Sequence, residues 1–186
     1  MFILILLYLS IVASLIWGRF FFFKLDAGTP GLAAITYDLA VAVQVVATLY
    51  YMLTVTQITL IILVLASLVY ASALFLFWWS IRTARSLDFA FSESVGTIVT
   101  KGPFSLVRHP FYTSYCMVWI CSSFIFNSPV LWITLVYLVT FYVLSARKEE
   151  AVILHSDQAE QYKNYQKQVG MFLPRIMKWK RSNTEP

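Results

Sequence analysis

Apolar residues run along this chain in five blocks, and short polar breaks separate the blocks. The first three blocks are each long enough to cross about 30 Å of hydrocarbon as one helix, and the last two are shorter. The five predicted spans are residues 1–23, 31–53, 58–81, 110–126 and 129–145. This pattern predicts an all-α integral membrane protein with about five transmembrane helices.

The end of the chain changes character after the fifth block. Only Asn127 and Ser128 separate the fourth block from the fifth, and so short a break predicts a tight helical hairpin over 110–145. Beyond it the chain is charged and rich in Gln, Lys and Tyr. Apolar and aromatic positions recur there at helical spacing, which predicts an amphipathic C-terminal helix over 146–174 at the membrane surface. Tyr162 and Tyr165 are predicted to anchor this helix at the interface rather than to take part in catalysis.

Composition and charge support the membrane class and predict a topology. The chain is 60% hydrophobic and 12% charged, against roughly 25% charged residues in ordinary soluble domains. With five spans, all fourteen Lys and Arg residues fall on one side, whereas loops 54–57 and 127–128 carry no charge. The positive-inside rule then predicts the N-terminus outside and the C-terminus in the cytoplasm. We therefore interpret the net charge of +5 as topological and predict no nucleic-acid partner.

The predicted elements form one domain in two parts. Residues 1–81 hold the first three helices. Residues 82–186 form the catalytic part, made of a cytoplasmic loop, the hairpin over 110–145 and the helix over 146–174. The cysteines, Cys116 and Cys121, lie five positions apart on a helix, too far apart and too divergent for a disulfide, and they do not have metal-site spacing. They are predicted to be packing residues, and no metal site is predicted.

The stretch TKGPFSLVRHPFYTSY, residues 100–115, carries the candidate chemistry. Gly102-Pro103 predicts a turn, and Pro110 suits the first turn of a helix. A helix that begins there directs unpaired N–H groups and a positive dipole end outward, which favours an anion. Alternatively, Arg108 anchors a membrane helix at the interface and His109 caps it.

The predicted topology brings this stretch to the segment that follows the fifth span. The tight hairpin places Pro110 and Ser145 at the same end of neighbouring helices. Arg108 and His109 can then face the segment with Arg147, Glu149 and Glu150 across a short gap. A positive helix end beside two carboxylates would suit a zwitterionic ligand.

These residues, in this order, resemble the integral-membrane methyltransferases, namely the isoprenylcysteine carboxyl methyltransferases, the phospholipid methyltransferases and their prokaryotic relatives. The resemblance covers about residues 95–175. The matching positions are Gly102, Pro103, Phe104, Arg108, His109, Pro110, Phe111, Tyr112, Glu149, Glu150, Tyr162, Tyr165 and Pro174.

The resemblance implies methyl transfer from S-adenosylmethionine at the cytoplasmic membrane surface to a lipophilic acceptor, with no metal. The acceptor could be a prenylcysteine carboxylate, a phospholipid amine or a thiol. The implied cofactor-binding residues are Gly102, Leu106, Val107, His109, Tyr112 and Glu150. Arg108, Arg147 and Glu150 are the implied catalytic residues, and the tail near Leu173-Pro174 would cover the cofactor.

Three positions depart from the family pattern. Ser114 replaces a common Gly, Phe104 replaces a Tyr, and the segment 155–158 replaces a Phe-Gly. The first two affect the expected acceptor shape, and the third affects the fold of the tail.

Two roles stay open at this point. Adjacent helical residues point about 100° apart, so only one of Glu149 and Glu150 is expected to face the site, and we favour Glu150. Asp38 lies inside the second predicted span, where an ionisable residue suggests a functional site, although hydration near the helix end would also explain it.

Two other functions compete with methyl transfer. Membrane sterol reductases resemble the C-terminal half of the chain but use NADPH and have more spans. A non-catalytic or haem-binding membrane subunit is the other alternative, but haem would need histidines at membrane depth, and His109 and His155 are predicted outside it.

Overall fold

The computed structural model describes residues 1–22, 31–55, 57–85 and 98–175. All regular elements in these ranges are helices. They are α1 (Phe2–Trp17), a π-helical turn (Gly18–Phe22), α2 (Gly31–Thr54), α3 (Leu60–Arg85), a 3-10 turn (Gly102–Ser105), α4 (Pro110–Phe126), α5 (Pro129–Leu154) and α6 (Ala159–Gln168). The polar break predicted between the first two spans, residues 24–30, and residues 86–97 of the predicted cytoplasmic loop lie outside the described ranges.

Four of the helices are long and apolar enough to cross a membrane. These segments are Phe2–Phe21, Gly31–Thr54, Leu60–Ala84 and Pro129–Leu154. Helix α4 has 17 residues, a length at the lower limit for a span. The chain is therefore a multi-pass membrane protein, whereas the count of five spans and the orientation of the termini remain predictions.

Helix α3 packs against α1 and α4, while α2 packs against α5. Aromatic residues fill the core between them. Tyr70 and Ser122 share a hydrogen bond of 2.8 Å between α3 and α4. Trp119 Nε1 donates to Tyr142 Oη at 3.1 Å, which joins α4 to α5 in the buried interior. These contacts fix the α4–α5 hairpin, whose ends carry the candidate site.

The hairpin turns at the two predicted residues. Asn127 adopts the left-handed conformation, with φ 43° and ψ 43°, and caps α4. Asn is one of the few residues other than Gly that adopt this conformation readily. Its side chain accepts a hydrogen bond from Trp132 Nε1 at 3.0 Å. Asn127 therefore links the end of α4 to the first turn of α5.

The predicted helix over 146–174 is wrong in its bounds. Helix α5 does not end at Ser145 but continues to Leu154, and α6 begins at Ala159. Ser156 ends the first helix because its hydroxyl donates to the Ile153 carbonyl at 2.7 Å and accepts from the Gln158 N–H. Such local side-chain bonds compete with helix propagation.

Tyr162 and Tyr165 do not act as exposed interface anchors. They are 3% and 8% exposed and pack with Ile98 and Val169 in a small core beside the main one. Tyr165 Oη also donates to the Phe104 carbonyl at 2.5 Å. Helix α6 is therefore held against the segment that leads into α4.

Candidate active site

The start of α4 is covered by the C-terminal segment of the chain. Val107 pairs with Gly170 in an isolated parallel bridge. The backbone N–H of Arg108 donates to the Gly170 carbonyl at 2.8 Å, and that of His109 donates to Met171 at 3.1 Å. We call residues 169–173 the tail strap, because they lie across the N-terminal end of α4.

Three further hydrogen bonds hold the tail strap and the adjoining Arg175 in place. Thr113 Oγ1, in the first turn of α4, donates to the Phe172 carbonyl at 3.1 Å. Arg175 Nη1 donates to the carbonyls of Gln166 and Lys167, at 3.1 and 2.7 Å. A cation at this position satisfies carbonyls at the C-terminal end of α6. The segment near Leu173-Pro174 is thus tied to both α4 and α6.

Beneath the strap, the Glu150 carboxylate receives four donors. Arg108 Nε lies 2.8 Å from Oε1 and Arg108 Nη2 lies 3.3 Å from Oε2. His109 Nε2 is 3.0 Å from Oε1, and Gln166 Nε2 donates to Oε2 at 2.8 Å. Glu150 is 6% exposed. A buried carboxylate needs such compensation, because the cost of removing its charge from water is high.

Glu149, the residue before Glu150 in α5, is in a different environment. Tyr112 Oη donates to its Oε1 at 2.5 Å, and His109 Nδ1 lies 3.5 Å from its Oε2. Its side chain is 37% exposed, against 7% for Glu150. Because an ionised carboxylate has about four acceptor positions, Glu149 keeps capacity for a ligand that Glu150 has lost.

His109 caps α4 and lies between these two carboxylates. Burial lowers the pKa of His109, but hydrogen bonds and charge attraction from Glu149 and Glu150 outweigh burial and raise the pKa above its ordinary value. The protonated ring can donate from both nitrogens at once. The site therefore combines the guanidinium of Arg108 and the imidazole of His109 with two carboxylates.

Stacked aromatic rings form one wall of the site. The rings of His109 and Tyr112 stack at 5.7 Å, and Tyr112 stacks on Tyr142 at 5.2 Å. Phe172 of the tail strap meets His109 and Tyr112 edge-on, at 6.0 and 6.2 Å. This wall joins α4, α5 and the strap.

The structure brings together only part of the predicted residue set. Arg108, His109, Tyr112 and Glu150 converge, together with Glu149. Buried Val107 adjoins them through its bridge to the strap.

The other three predicted residues lie elsewhere. Gly102 is placed against α3, where a Cβ on it would lie 2.8 Å from Thr83 Oγ1. Leu106 is 47% exposed. Arg147 is also exposed, and it forms no hydrogen bond or ion pair with the described part of the chain.

Sequence reasoning missed Gln166, Tyr142 and Phe172. Gln166 lies one helical turn after Tyr162 and therefore shares the face of α6 that carries the tyrosines, which was a signal that could have identified it. Tyr142 lies in a continuous apolar block, where no pattern distinguishes it. Phe172 lies beyond α6, and only the bonds between the strap and α4 give it a role.

The sequence matches the family model for phospholipid methyltransferases over residues 61–156. Neither the curated proteins nor the solved structures contain a match to the chain. The matched stretch includes α3, the start of α4, the hairpin and both glutamates. It covers more than half of the sequence, and the chain therefore belongs to the phospholipid methyltransferase family.

Proposed function

We propose that this protein is a methyltransferase that uses S-adenosylmethionine to methylate a lipidic or small hydrophobic acceptor at the cytoplasmic membrane surface. Family membership supports membrane methyl transfer, and the proposal adds the cofactor, the acceptor class and the membrane face. The observation that carries it is the convergence of His109, Tyr112 and the partly exposed Glu149 at the start of α4.

The chemistry of these residues fits the proposed cofactor. S-adenosylmethionine carries a sulfonium, an ammonium and a carboxylate. Aromatic faces and carboxylates favour cations, and both are present in Tyr112, Phe172 and Glu149. Both ring nitrogens of His109 are directed at Glu149 and Glu150, so His109 orders these carboxylates rather than donating to the cofactor. When bound, the cofactor supplies an electrophilic methyl group on sulfur.

The two glutamates take different roles in this proposal. Glu150 is a positioning residue, because its oxygens are already engaged by Arg108, His109 and Gln166. It orients Arg108 and His109 at the start of α4. Glu149 is the ligand-contacting carboxylate, held in one orientation by the Tyr112 hydroxyl. This assignment replaces our preference for Glu150 as the carboxylate that meets the cofactor.

The protein's contribution to catalysis is placement and exclusion of water. Methyl transfer from sulfur is an in-line displacement that disperses positive charge, so it needs aligned reactants more than a strong acid or base. The buried rings of Tyr115 and Tyr142 close the inner side of the site, and the tail strap closes its outer side. Arg108 is buried in the Glu150 pair, and its role is to hold both elements together. We include Arg147 as a candidate for contact with an acceptor in the adjoining interface.

Calorimetric titration of the detergent-purified chain with S-adenosylmethionine and S-adenosylhomocysteine tests the cofactor. We expect micromolar binding by the wild type and a loss of at least roughly tenfold in Glu149→Gln, which removes a charge-assisted contact. The matched control is Glu160→Gln, because Glu160 is an exposed glutamate paired with Lys163 at 2.7 Å, away from the site. This control should bind like the wild type.

Two results would contradict the proposal. The first is no binding of either compound by folded wild type. The second is a positive NADPH titration in their place, which would favour the reductase alternative. Equal binding by Glu149→Gln and wild type, combined with loss in Glu150→Gln at unchanged thermal stability, would reverse the assignment of the two glutamates.

A further inference from the structure

Arg19 and Asp38 form an ion pair that the candidate active site does not use. Arg19 lies in the π-helical turn after α1, Asp38 lies in α2, and Nη2 is 3.0 Å from Oδ2. Both residues fall inside segments that are apolar enough to cross a membrane. Charges in such segments are costly and usually face the interior of a bundle, and the environment of this pair differs from that pattern.

This pair faces outward. The Arg19 side chain is 31% exposed and that of Asp38 is 52% exposed. The apolar residues around them are strongly exposed as well, including Phe20 at 76%, Ile35 at 65% and Leu39 at 62%. An exposed apolar surface on a membrane helix is covered by lipid. The described residues around the ion pair therefore leave it open to lipid headgroups.

Two tryptophans near the pair support a position at the depth of the lipid headgroups. Trp17 and Trp78 contact each other next to Arg19, with ring centroids 5.1 Å apart, and Trp residues concentrate at the membrane interface. Within the described residues, Asp38 is the protein acceptor that Arg19 reaches, through one of its nitrogens. A guanidinium has five N–H donors in a planar fork that matches phosphate, and the donors of Arg19 that Asp38 does not engage have no acceptor in the described part of the chain.

We propose that Arg19 and Asp38 form a docking site for the phosphate group of a membrane phospholipid. Arg19 binds the phosphate through the N–H groups that Asp38 does not engage. Helices α1 and α2 precede residue 61, so this site lies outside the stretch that matches the family. It is a feature of this chain's N-terminal helices and does not depend on the proposed function.

Contacts between aromatic rings lead from the docking site to the candidate active site. Tyr37 precedes Asp38, and its ring stacks on Phe141 at 4.6 Å and meets Tyr142 at 6.0 Å. Tyr142 in turn stacks on Tyr112, whose hydroxyl binds Glu149. Three contacting rings, Tyr37 of α2, Tyr142 of α5 and Tyr112 of α4, thus lead from the residue beside Asp38 to the carboxylate of Glu149.

Native mass spectrometry of the full chain in detergent tests the proposal without any cofactor. The probes are dioleoyl phosphatidylglycerol and dioleoylglycerol, which share acyl chains and differ in the phosphate-bearing headgroup. We expect the phospholipid to bind the wild type and Arg19→Gln to bind it roughly tenfold more weakly, as expected from the loss of a charged donor. Dioleoylglycerol should not bind specifically. Lys163→Gln, which removes another exposed ion-paired cation, should bind the phospholipid like the wild type.

Asp38→Asn separates docking from a purely structural clamp between α1 and α2. Phosphate docking predicts that this variant retains or strengthens phospholipid binding, because an anion beside the guanidinium is removed while Arg19 remains. A clamp predicts that Arg19→Gln and Asp38→Asn lose the same thermal stability and leave lipid binding unchanged. That result, or equal binding of both lipids, would overturn the proposal. Competition by inorganic phosphate would show a site for free anions and would overturn the assignment to a lipid.

Discussion

Arg108 and Glu150 lie 42 residues apart in the chain and form a two-point ion pair, with Nε 2.8 Å from Oε1 and Nη2 3.3 Å from Oε2. Their side chains are 10% and 7% exposed. This pair joins the start of α4 to the end of α5, and Gln166 adds α6 to the same carboxylate.

Removing one partner of this pair should destabilise the protein strongly. Arg108→Met and Glu150→Leu leave the other charge buried without its partner, and each is expected to cost about 3–5 kcal/mol. The double variant should cost less than the sum of the two, because no unpaired charge remains between them. Unfolding of the two single variants and the double variant in mixed detergent micelles measures these losses of stability. Additive losses would show that the two residues act independently.

Stability should fall as the pH rises through the titration of His109. Its folded-state pKa is raised above the ordinary value of 6.5 by Glu149 and Glu150. Its contribution is therefore fully present below that value and is lost as the pH passes the higher pKa of the folded protein. Thermal unfolding between about pH 6 and pH 9 should show this decline in the wild type and a weaker one in His109→Gln. Identical pH profiles for the wild type and His109→Gln would contradict the assignment of this decline to His109.

Gly170→Ala should displace the tail strap. A Cβ at this position would lie 2.0 Å from the Leu173 carbonyl oxygen, so the backbone must move. We expect faster tryptic cleavage after Arg175 and weaker binding of S-adenosylhomocysteine. The control is Gly31→Ala, since a Cβ there meets no atom within 4 Å. Equal cleavage rates in the two variants would show that the strap tolerates the change.

Gly102→Ala should affect stability more than ligand binding. Gly102 has φ 59°, which most residues adopt at a cost, and an added Cβ would press on Thr83 Oγ1. We expect a loss of about 1–3 kcal/mol in the free energy of unfolding, with the affinity for S-adenosylhomocysteine almost unchanged. Loss of affinity at unchanged stability would instead support the contact between Gly102 and the cofactor that the family resemblance implies.

The sequence predicted the features that depend on local pattern. The apolar blocks indicated the helices, and Asn127-Ser128 indicated the hairpin turn. The break after Leu154 was missed because the helical spacing continues through it, whereas the Ser156 hydroxyl ends the helix through bonds that periodicity does not record. The four donors around Glu150 come from Arg108 and His109, just before α4, and from Gln166 in α6, so the division of roles between Glu149 and Glu150 depends on long-range packing.

The tail strap has a consequence for biogenesis. All four apolar segments end by Leu154, whereas Gln166 and Phe172, which complete the site, are synthesised afterwards. The helices can therefore enter the bilayer while the α4 end of the bundle is still uncovered. A nascent chain that stopped before Gln166 would keep these segments and lack the site. In the order of synthesis, all four apolar segments therefore precede the residues that complete the candidate site.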